Sequence, residues 1–377
     1  MTTHVFIVDN NTFKYHLEYM FAGTGAGNNF IDFNSVGTTN LHYATENNLL
    51  GMIADISRIR IGDNVVFYLQ QDYSKGIYEG KFYGIFRVRS LGFLDNNDGG
   101  QFLINELQKS LTFRILIEPL EVYADGVTEW EALDEIKNIC SPNQMLWSLI
   151  YRKLKGNRGN TMITIYEFER LYQLIREKNY YVPLGGQNFS FDSYSQQIIQ
   201  IPQSNSYDGR FGSINILPRL LAKYEKGHQF ETHLQAYILQ NIENIEQIFN
   251  SGFEWIEWIG NEVSCGVGMQ RIDIMLSKIN GINRVCMPIE LKSSEAYLGI
   301  THQIQRYVDW IRQYYLPNRQ SDLVPVLISR QILDKNSQYF SNLIAEFQNF
   351  NAINNINLKY IEFTIENNSI NFSKIVY

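Results

Sequence analysis

This 377-residue chain has few of the residues that build disulfide frameworks or cysteine-based metal sites. Its three cysteines, Cys140, Cys265 and Cys286, are odd in number and lack the spacing of a zinc motif. Its six histidines are scattered, so none is assigned to a metal. No apolar run approaches the roughly 20 residues that span a bilayer, and the N-terminus lacks a signal pattern. These absences predict a reduced, soluble, cytoplasmic protein without membrane contacts.

The chain also has no overall positive charge, since its net charge is −7. This argues mildly against a nucleic-acid partner, but phosphate binding needs local positive charge and not a global excess. One acid-free basic run supplies such charge, with the residues Arg152, Lys153, Lys155 and Arg158. These four residues are candidate nucleic-acid contacts, although most short basic runs are only solvated surface.

Aromatic residues, in contrast, are abundant, at 14% of the chain with 24 Tyr and 23 Phe. Large flat side chains fill hydrophobic cores, and they also stack on unpaired bases. In the N-terminal half, Tyr43, Tyr123, Trp130 and Trp147 are candidates for an aromatic pocket that holds an extruded base. The alternative for each ring is ordinary core packing.

Two neighbouring apolar runs carry isolated charges in the C-terminal half. Asp273 lies within the run R-I-D-I-M, and Glu290 and Lys292 lie two residues apart within P-I-E-L-K. Side chains alternate along a strand, so Glu290 and Lys292 share one face. Burying such charges is costly unless they pair or bind a metal. Carboxylates from two strands can hold a hard divalent cation, which indicates a metal-dependent phosphodiesterase. The alternative is a salt bridge on an exposed sheet face.

Helical patterns flank these strands on both sides. Glu231 begins a predicted helix with apolar residues at helical spacing from Leu234 to Phe249. In that first turn a carboxylate is also favoured by the helix dipole alone. Downstream, Gln303 lies in a second predicted helix, whose apolar stripe includes Tyr307.

The ordered pieces F-E-x-x-L-Q-A-Y-I-L, R-I-D-I-M, P-I-E-L-K and H-Q-I-Q-R-Y-V-D-W resemble the PD-(D/E)XK nuclease superfamily, most closely its NucS-like branch. The resemblance covers about residues 228 to 315. It implies that Asp273, Glu290 and the Leu291 carbonyl bind Mg²⁺ or Mn²⁺, with Glu231 as a further acidic residue. It also implies that Lys292 is the catalytic lysine and that Gln303 belongs to the active site. The usual Pro-Asp is Ile272-Asp273 here, a departure found in many members.

The first half of the chain predicts several strands and helices. Strands are expected at residues 4–8, 81–90 and 113–123, and residues 60–70 are expected to form a turn followed by a strand. Helices are expected at 11–19, 129–139, 144–153 and 166–177. The segment at 81–90 alternates polar and apolar residues, which is typical of a half-exposed strand. The pair I-G-D-N-V-V-F-Y and G-K-F-Y-G-I-F-R-V resembles the small barrel of PUA-like domains of the EVE and YTH kind.

The predicted fold class is therefore mixed α/β (α+β), with two domains. Residues 1–178 are expected to form a PUA-like small β-barrel with helices that recognises DNA. Residues 179–213 are rich in Gly, Ser, Asn and Gln and are predicted as a linker, part of which packs on a domain. Residues 214–377 are expected to form the restriction-endonuclease-like domain, a central mixed sheet flanked by helices.

Together these features predict a Mg²⁺-dependent endonuclease of double-stranded DNA, acting in restriction or another defence role. Cutting both strands requires two active sites, so a homodimer is expected. One alternative is a NucS-like repair nuclease that acts on mismatched or branched DNA. The other is a nucleic-acid-binding protein whose nuclease fold is not catalytic.

Overall fold

The computed structural model describes residues 1–25, 27, 30–34, 46–134, 139–141, 144, 159–249, 255–265 and 270–377. The chain divides into two compact units. The first comprises Met1–Ser141 and Met145–Asn215, and the second comprises Pro142–Gln144 and Ile216–Tyr377. Both units combine helices with a sheet, which confirms the predicted mixed α/β class.

The first unit is built from short strands connected by helices and turns. Its strands are β1 (Thr3–Val8), β2 (Phe21–Thr24), β3 (Asn64–Leu69), β4 (Lys81–Val88), β5 (Phe93–Leu94), β6 (Phe113–Pro119), β7 (Val127–Thr128), β8 (Asn160–Ile163), β9 (Phe189–Asp192) and β10 (Gln197–Gln200). Its helices are α1 (Phe13–Glu18), α2 (Glu46–Ser57), α3 (Ile104–Leu107), α4 (Glu129–Asp134) and α5 (Ile165–Lys178), with a 3₁₀ turn at Tyr73–Lys75.

One sheet organises this unit, with the strand order β2-β6-β4-β3-β1-β8. β1 and β3 are parallel, whereas the other neighbours in this order are antiparallel. β5 adds to β6, and β7 adds to β4. The four strands expected from the sequence correspond to β1, β3, β4 and β6 and differ from them by a few residues at their ends.

The strand β4 is more buried than its alternating pattern predicts. All of Phe82–Phe86 is buried, so the expectation of a half-exposed strand is wrong. Ile85 lies in an apolar cluster with Leu171 of α5, and Tyr83 packs against Phe191 of β9. The segment that carries β9 thus covers a surface that local alternation alone leaves to solvent.

The helix α5 extends one residue beyond the predicted 166–177 at each end, and local interactions define both its start and its buried face. Thr164 and Glu167 form a capping box, in which the Thr164 hydroxyl accepts from the Glu167 N–H at 3.2 Å. The Glu167 carboxylate accepts in return from the Thr164 N–H at 2.9 Å. Leu171 and Ile175, four residues apart, then bury one face of the helix.

Residues 179–213, predicted as a linker, lie within the first unit. β9 and β10 pair as an antiparallel hairpin. Near the end of the segment, Leu94 and Gly212 exchange two backbone hydrogen bonds of 2.8 Å. Arg210 donates from Nε to the buried Asp95 carboxylate at 3.1 Å. These bonds attach the segment to the sheet along much of its length.

The second unit contains longer strands. They are β11 (Trp255–Ser264), β12 (Arg271–Asn280), β13 (Asn283–Glu295), β14 (Asp322–Leu323), β15 (Val326–Arg330), β16 (Lys359–Glu366) and β17 (Ser369–Ile375). The helices are α6 (Leu217–Glu225), α7 (Glu231–Gln240), α8 (Ile242–Phe249), α9 (Ile300–Trp310) and α10 (Gln338–Asn354), with a π-helical turn at Ile311–Tyr315. The single helix predicted from Glu231 onward is divided at Asn241, which leaves the helical conformation.

The sheet of this unit has the order β11-β12-β13-β15-β16-β17, with β14 beside β13. β13, β15 and β16 run parallel, whereas β12 and β17 are antiparallel to their neighbours on this path. This is a central mixed sheet, as the sequence predicts. Every residue of β13 from Val285 to Leu291 is buried. The helix α7 packs against this strand.

No helix within the described ranges is both long enough and apolar enough to cross a membrane.

Acid should destabilise the first unit through His16, which is buried in α1. Its Nδ1 lies 3.0 Å from the Phe21 carbonyl, and burial lowers the pKa of His16 to about 3. The folded chain keeps the ring neutral, while the unfolded chain binds a proton below about pH 6.5. The free energy of unfolding should therefore fall by about 1.4 kcal/mol per pH unit as the pH drops from about 6.5 toward 3.

The variant His16→Asn offers a comparison, because its amide N–H can replace the Nδ1–H donor and does not titrate. Urea unfolding followed by circular dichroism at pH 7.5 and pH 5.0 should show that the wild type loses about 2 kcal/mol more than the variant. Equal losses for both proteins would contradict the assignment of this acid sensitivity to His16.

Candidate active site

The charged residues singled out in the sequence lie where the neighbours of β13 diverge from it. β12 pairs with β13 up to Ile274 and Ile289. On the other side, β15 pairs with β13 up to Leu291, after which the register becomes irregular. Asp273 and Glu290 come directly beyond the pair of Ile274 and Ile289, so their positions face each other across the two strands. The end of the regular ladder is thus the place where these charges meet.

Asp273 is fixed by the main chain of the opposite strand. One of its carboxylate oxygens accepts a 2.8 Å hydrogen bond from the Leu291 N–H. Its own backbone carbonyl accepts a 2.8 Å bond from Gln235 Nε2 of α7. Gln235 is buried, and its Oε1 has no partner within the described part of the chain. The sequence pattern does not single out Gln235, although its position one helical turn after Glu231 places both residues on one face of the helix.

Glu290 and Lys292 share a face of β13, as the strand alternation predicts. Lys292 Nζ lies 2.5 Å from Glu290 Oε1, and Glu290 is 1% exposed. Ile289 and Leu291 point into the core on the other face and are completely buried. The alternative of a salt bridge on an exposed sheet face is therefore wrong, because the pair lies in a desolvated environment.

Glu231 approaches the same place from the first turn of α7. Its Oε1 accepts a long, 3.4 Å hydrogen bond from the Ser293 N–H. Its negative charge raises the pKa of both Asp273 and Glu290 and so lies within electrostatic reach of them. We call Glu231, Asp273, Glu290 and Lys292 the acidic site.

The second oxygen of Glu290 is held by Tyr307 of α9. Tyr307 Oη lies 2.7 Å from Glu290 Oε2 and 2.9 Å from the Arg271 carbonyl, and it accepts from Gln303 Nε2 at 2.7 Å. Gln303 therefore acts on Glu290 through Tyr307. The sequence pattern placed Tyr307 in an apolar stripe and missed this role. A buried tyrosine hydroxyl needs a polar partner, and Gln303 lies four residues before it, which was the available signal.

The acidic site concentrates negative charge in a place of low solvation. Burial raises the pKa of Asp273 well above its ordinary value, and the charge of Glu290 raises it further. Burial also raises the pKa of Glu290, although Lys292 opposes this. Burial lowers the pKa of Lys292, but Glu290 outweighs that effect and the pKa lies above its ordinary value. The lysine is therefore cationic, and its one charge faces three carboxyl groups.

This donor set fits a hard divalent cation, which prefers oxygen ligands and compensates clustered carboxylates. Asp273 and Glu290 supply the carboxylates, and the predicted Leu291 carbonyl lies on β13 between Glu290 and Lys292. Over the described ranges, no three His, Cys, Asp or Glu side chains are grouped closely enough to hold one ion by themselves. A cation here would thus need further oxygen ligands from water or substrate.

The predicted nucleic-acid contacts have different outcomes. Trp130 of α4 is 57% exposed, which leaves its ring accessible for stacking. Tyr123 is buried in the core of the first unit, so its ring is not available to a base. The remaining candidates lie outside the described residues: Tyr43, Trp147, Arg152, Lys153, Lys155 and Arg158.

Comparison with known proteins finds weak structural similarity. No protein-family model matches the sequence, and no curated protein matches it. A structural genomics target from Pseudomonas putida is 8% identical with a TM-score of 0.27, over 46% of this chain and 98% of that chain. The human THYN1 protein, in complex with DNA containing 5-methylcytosine, is 8% identical with a TM-score of 0.25, over 46% of this chain and 96% of that chain.

Removing one charge from the acidic site should stabilise the protein when no divalent cation is present. In Asp273→Asn the side-chain oxygen can still accept from Leu291, but the repulsion with Glu290 and the cost of burying the charge are gone. In chelator at pH 8, the free energy of unfolding of the variant should be about 1–2 kcal/mol higher than that of the wild type.

Adding Mg²⁺ or Mn²⁺ should reverse this order, because binding to the folded state stabilises only the protein that retains its ligand. The matched control is Asp309→Asn, an exposed aspartate of α9 that should change stability little under either condition. If Asp273→Asn is less stable than the wild type in chelator, the carboxylate has a structural role that outweighs the repulsion.

Proposed function

We propose that this protein is a metal-dependent nuclease that hydrolyses phosphodiester bonds in DNA. The proposal rests chiefly on the meeting of Asp273, Glu290 and Lys292 at the end of the β12–β13 ladder. A lysine beside paired carboxylates supplies both the ligands for a cation and a positive charge for the substrate. The desolvation of these groups also supports a functional site, since strongly shifted pKa values concentrate at such sites.

Asp273, Glu290 and the Leu291 carbonyl would hold Mg²⁺, with Glu231 contributing through water. When bound, the ion polarises the scissile phosphate and lowers the pKa of a bound water. Asp273 is held in place for this task by its bond to the Leu291 N–H, and Glu290 by its bond to Tyr307.

Lys292 would orient the attacking water or stabilise the charge that develops on the phosphate. Its present partner is Glu290, and compensation of that carboxylate by a cation would leave the ammonium group available to the substrate. Gln303 and Tyr307 would act as positioning residues, because they touch Glu290 or its partner and not the reacting atoms.

The first unit would supply DNA recognition. Exposed aromatic residues support this, since Trp130 is 57% exposed and the Tyr73 and Tyr78 rings, 67% and 68% exposed, lie 6.1 Å apart. The Glu129 N–H beside Trp130 donates to the Gly80 carbonyl, close in sequence to Tyr78. Such rings suit an unpaired or extruded base. A recognition unit joined to a nuclease suits a restriction enzyme or another site-dependent nuclease, acting as a homodimer.

The chemistry predicts DNA cleavage that depends on Mg²⁺ or Mn²⁺ and on Lys292. Lys292→Met should lower the cleavage rate at least about 100-fold, because it removes one preorganised positive charge from the transition state. Unmodified and cytosine-modified genomic DNA, digested side by side, would be the first substrates. Lys374→Met, an exposed lysine of β17, is the matched control and should retain the wild-type rate.

The outcomes separate the three functions under consideration. Discrete fragments from either genomic DNA indicate a site-specific endonuclease. Cleavage of mismatched or branched DNA alone indicates a repair nuclease. DNA binding without cleavage of any substrate, or equal cleavage by the wild type and Lys292→Met, would refute the proposed catalytic site.

Trp130 should contribute to binding of single-stranded or locally unpaired DNA. Loss of one stacking ring costs about 1–3 kcal/mol, so Trp130→Ala should weaken binding by roughly 5- to 150-fold in fluorescence anisotropy titrations. Tyr194→Ala, at an exposed turn of the same unit, is the control and should bind as the wild type. Similar losses in both variants would show that the contact is not specific to Trp130.

A further inference from the structure

A small cavity is lined by residues that adjoin the acidic site in two segments of the chain. Its volume is about 160 Å³, and the lining residues that matter here are Tyr224, His228, Phe230, Ser293, Ser294 and Arg330. Phe230 directly precedes Glu231, and Ser293 directly follows Lys292. We call this cavity the α7 pocket, because its lining includes the residues that lead into α7.

The pocket forms where the central sheet opens. β13 and β15 are parallel, and their register is regular up to Leu291 and Ile328 but irregular before Glu295 and Arg330. Ser293 and Ser294 lie within this irregular interval and line the pocket. In sheets with parallel strands, ligands commonly bind in crevices beyond the carboxyl ends of the strands.

Ser293 supplies a hydroxyl to the lining of the pocket. The residue is 7% exposed, and its N–H donates to Glu231, but its hydroxyl makes no hydrogen bond within the described part of the chain. An oxygen of a ligand in the pocket could therefore accept a hydrogen bond from this hydroxyl.

Arg330 supplies an uncompensated positive charge at the end of β15. Its guanidinium group has no ion pair or hydrogen bond to the residues that the structure describes. Other arginines of this unit are paired, as Arg319 is with Glu257 and Arg271 is with Glu262. An arginine without an ion pair at the edge of a pocket is suited to a phosphate, whose oxygens match its planar set of donors.

The size of the pocket limits what it can hold. Its volume corresponds to about five water molecules, at about 30 Å³ for each. Ligand sites for whole nucleosides or drug-sized molecules begin at roughly 300 Å³. No Asp or Glu lines the pocket, and the Glu231 carboxylate next to it accepts from the Ser293 N–H. The pocket therefore has room for an anionic group of phosphate size, and its lining offers a positive charge and hydroxyls but no carboxylate.

We propose that the α7 pocket binds one phosphate group of the nucleic acid, next to the bond that the acidic site attacks. This inference rests on the proposed nuclease function and adds a binding site to it. Arg330 would pair with the phosphate, and the hydroxyls of Ser293 and Ser294 would donate to its oxygens. A phosphate held there would place the neighbouring phosphodiester at Lys292, since β13 carries both sites.

The first test measures binding of inorganic phosphate, in chelator so that no metal contributes. Isothermal titration calorimetry should show that the wild-type chain binds phosphate. Binding should be at least about tenfold weaker in Arg330→Gln, because this variant loses a charged hydrogen bond. Ser293→Ala should also weaken binding, and Arg330→Lys should restore part of it by restoring the charge. Lys374→Gln removes a charge elsewhere in the unit and should bind as the wild type.

The second test identifies the source of the phosphate. Oligonucleotides of one sequence with a 5′-phosphate, a 3′-phosphate or hydroxyl ends are titrated into each protein without metal. A preference for one phosphorylated end that disappears in Arg330→Gln identifies a terminal phosphate. Equal binding of all three, weakened in Arg330→Gln alone, identifies an internal phosphodiester. If Arg330→Gln, folded by circular dichroism, binds phosphate and all oligonucleotides as the wild type does, the proposal is overturned.

Failure of this inference is separable from failure of the nuclease proposal, because both tests exclude metal and cleavage. Binding that depends on Arg330, together with no cleavage of any DNA, supports the pocket and contradicts the nuclease. Cleavage that depends on Lys292, together with binding indifferent to Arg330, supports the nuclease and contradicts the pocket.

Discussion

The central constraint on the second unit is the burial of two carboxylates, Asp273 and Glu290, within its own sheet. Asp273 and Glu290 meet at the end of a ladder, and each is held by a different device: a backbone N–H for Asp273, and Lys292 with Tyr307 for Glu290. Each device lowers the cost of a buried charge, yet burial still raises the pKa of both carboxyl groups. The cation proposed above would lower this remaining cost by compensating the two carboxylates.

The same opening of the sheet explains why two kinds of polar site lie side by side. β13 loses its regular pairing first to β12 and then to β15. Beyond that point the Leu291 N–H donates to Asp273 and the Ser293 N–H donates to Glu231 of α7. Lys292 faces the carboxylates, whereas Ser293 lines the pocket with Arg330. Acidic groups on one side and an unpaired arginine on the other would suit a metal and a phosphate respectively, as a phosphodiester substrate requires.

Sequence pattern predicts a strand or helix well where capping residues and apolar spacing within the same segment define it. α5 was predicted within a residue at each end, because a capping box and an apolar stripe define it. β4 was misjudged, because burial of its second face depends on Tyr83 meeting Phe191, more than a hundred residues away. The break of a predicted helix at Asn241 was also missed, since its apolar spacing continues across the break. Packing against residues distant in sequence can override the alternating pattern of a strand and the apolar spacing of a helix.

The sequence by itself determined which side chains share a face. The two-residue spacing of Glu290 and Lys292 dictates that they lie together on one strand, whatever the fold around them. Only the tertiary structure decided that Asp273 lies across from Glu290, that Tyr307 bonds to it, and that Arg330 lies beside Ser293. Those contacts join elements distant in sequence, and their register depends on the pairing of whole strands. No spacing within a single segment encodes that pairing.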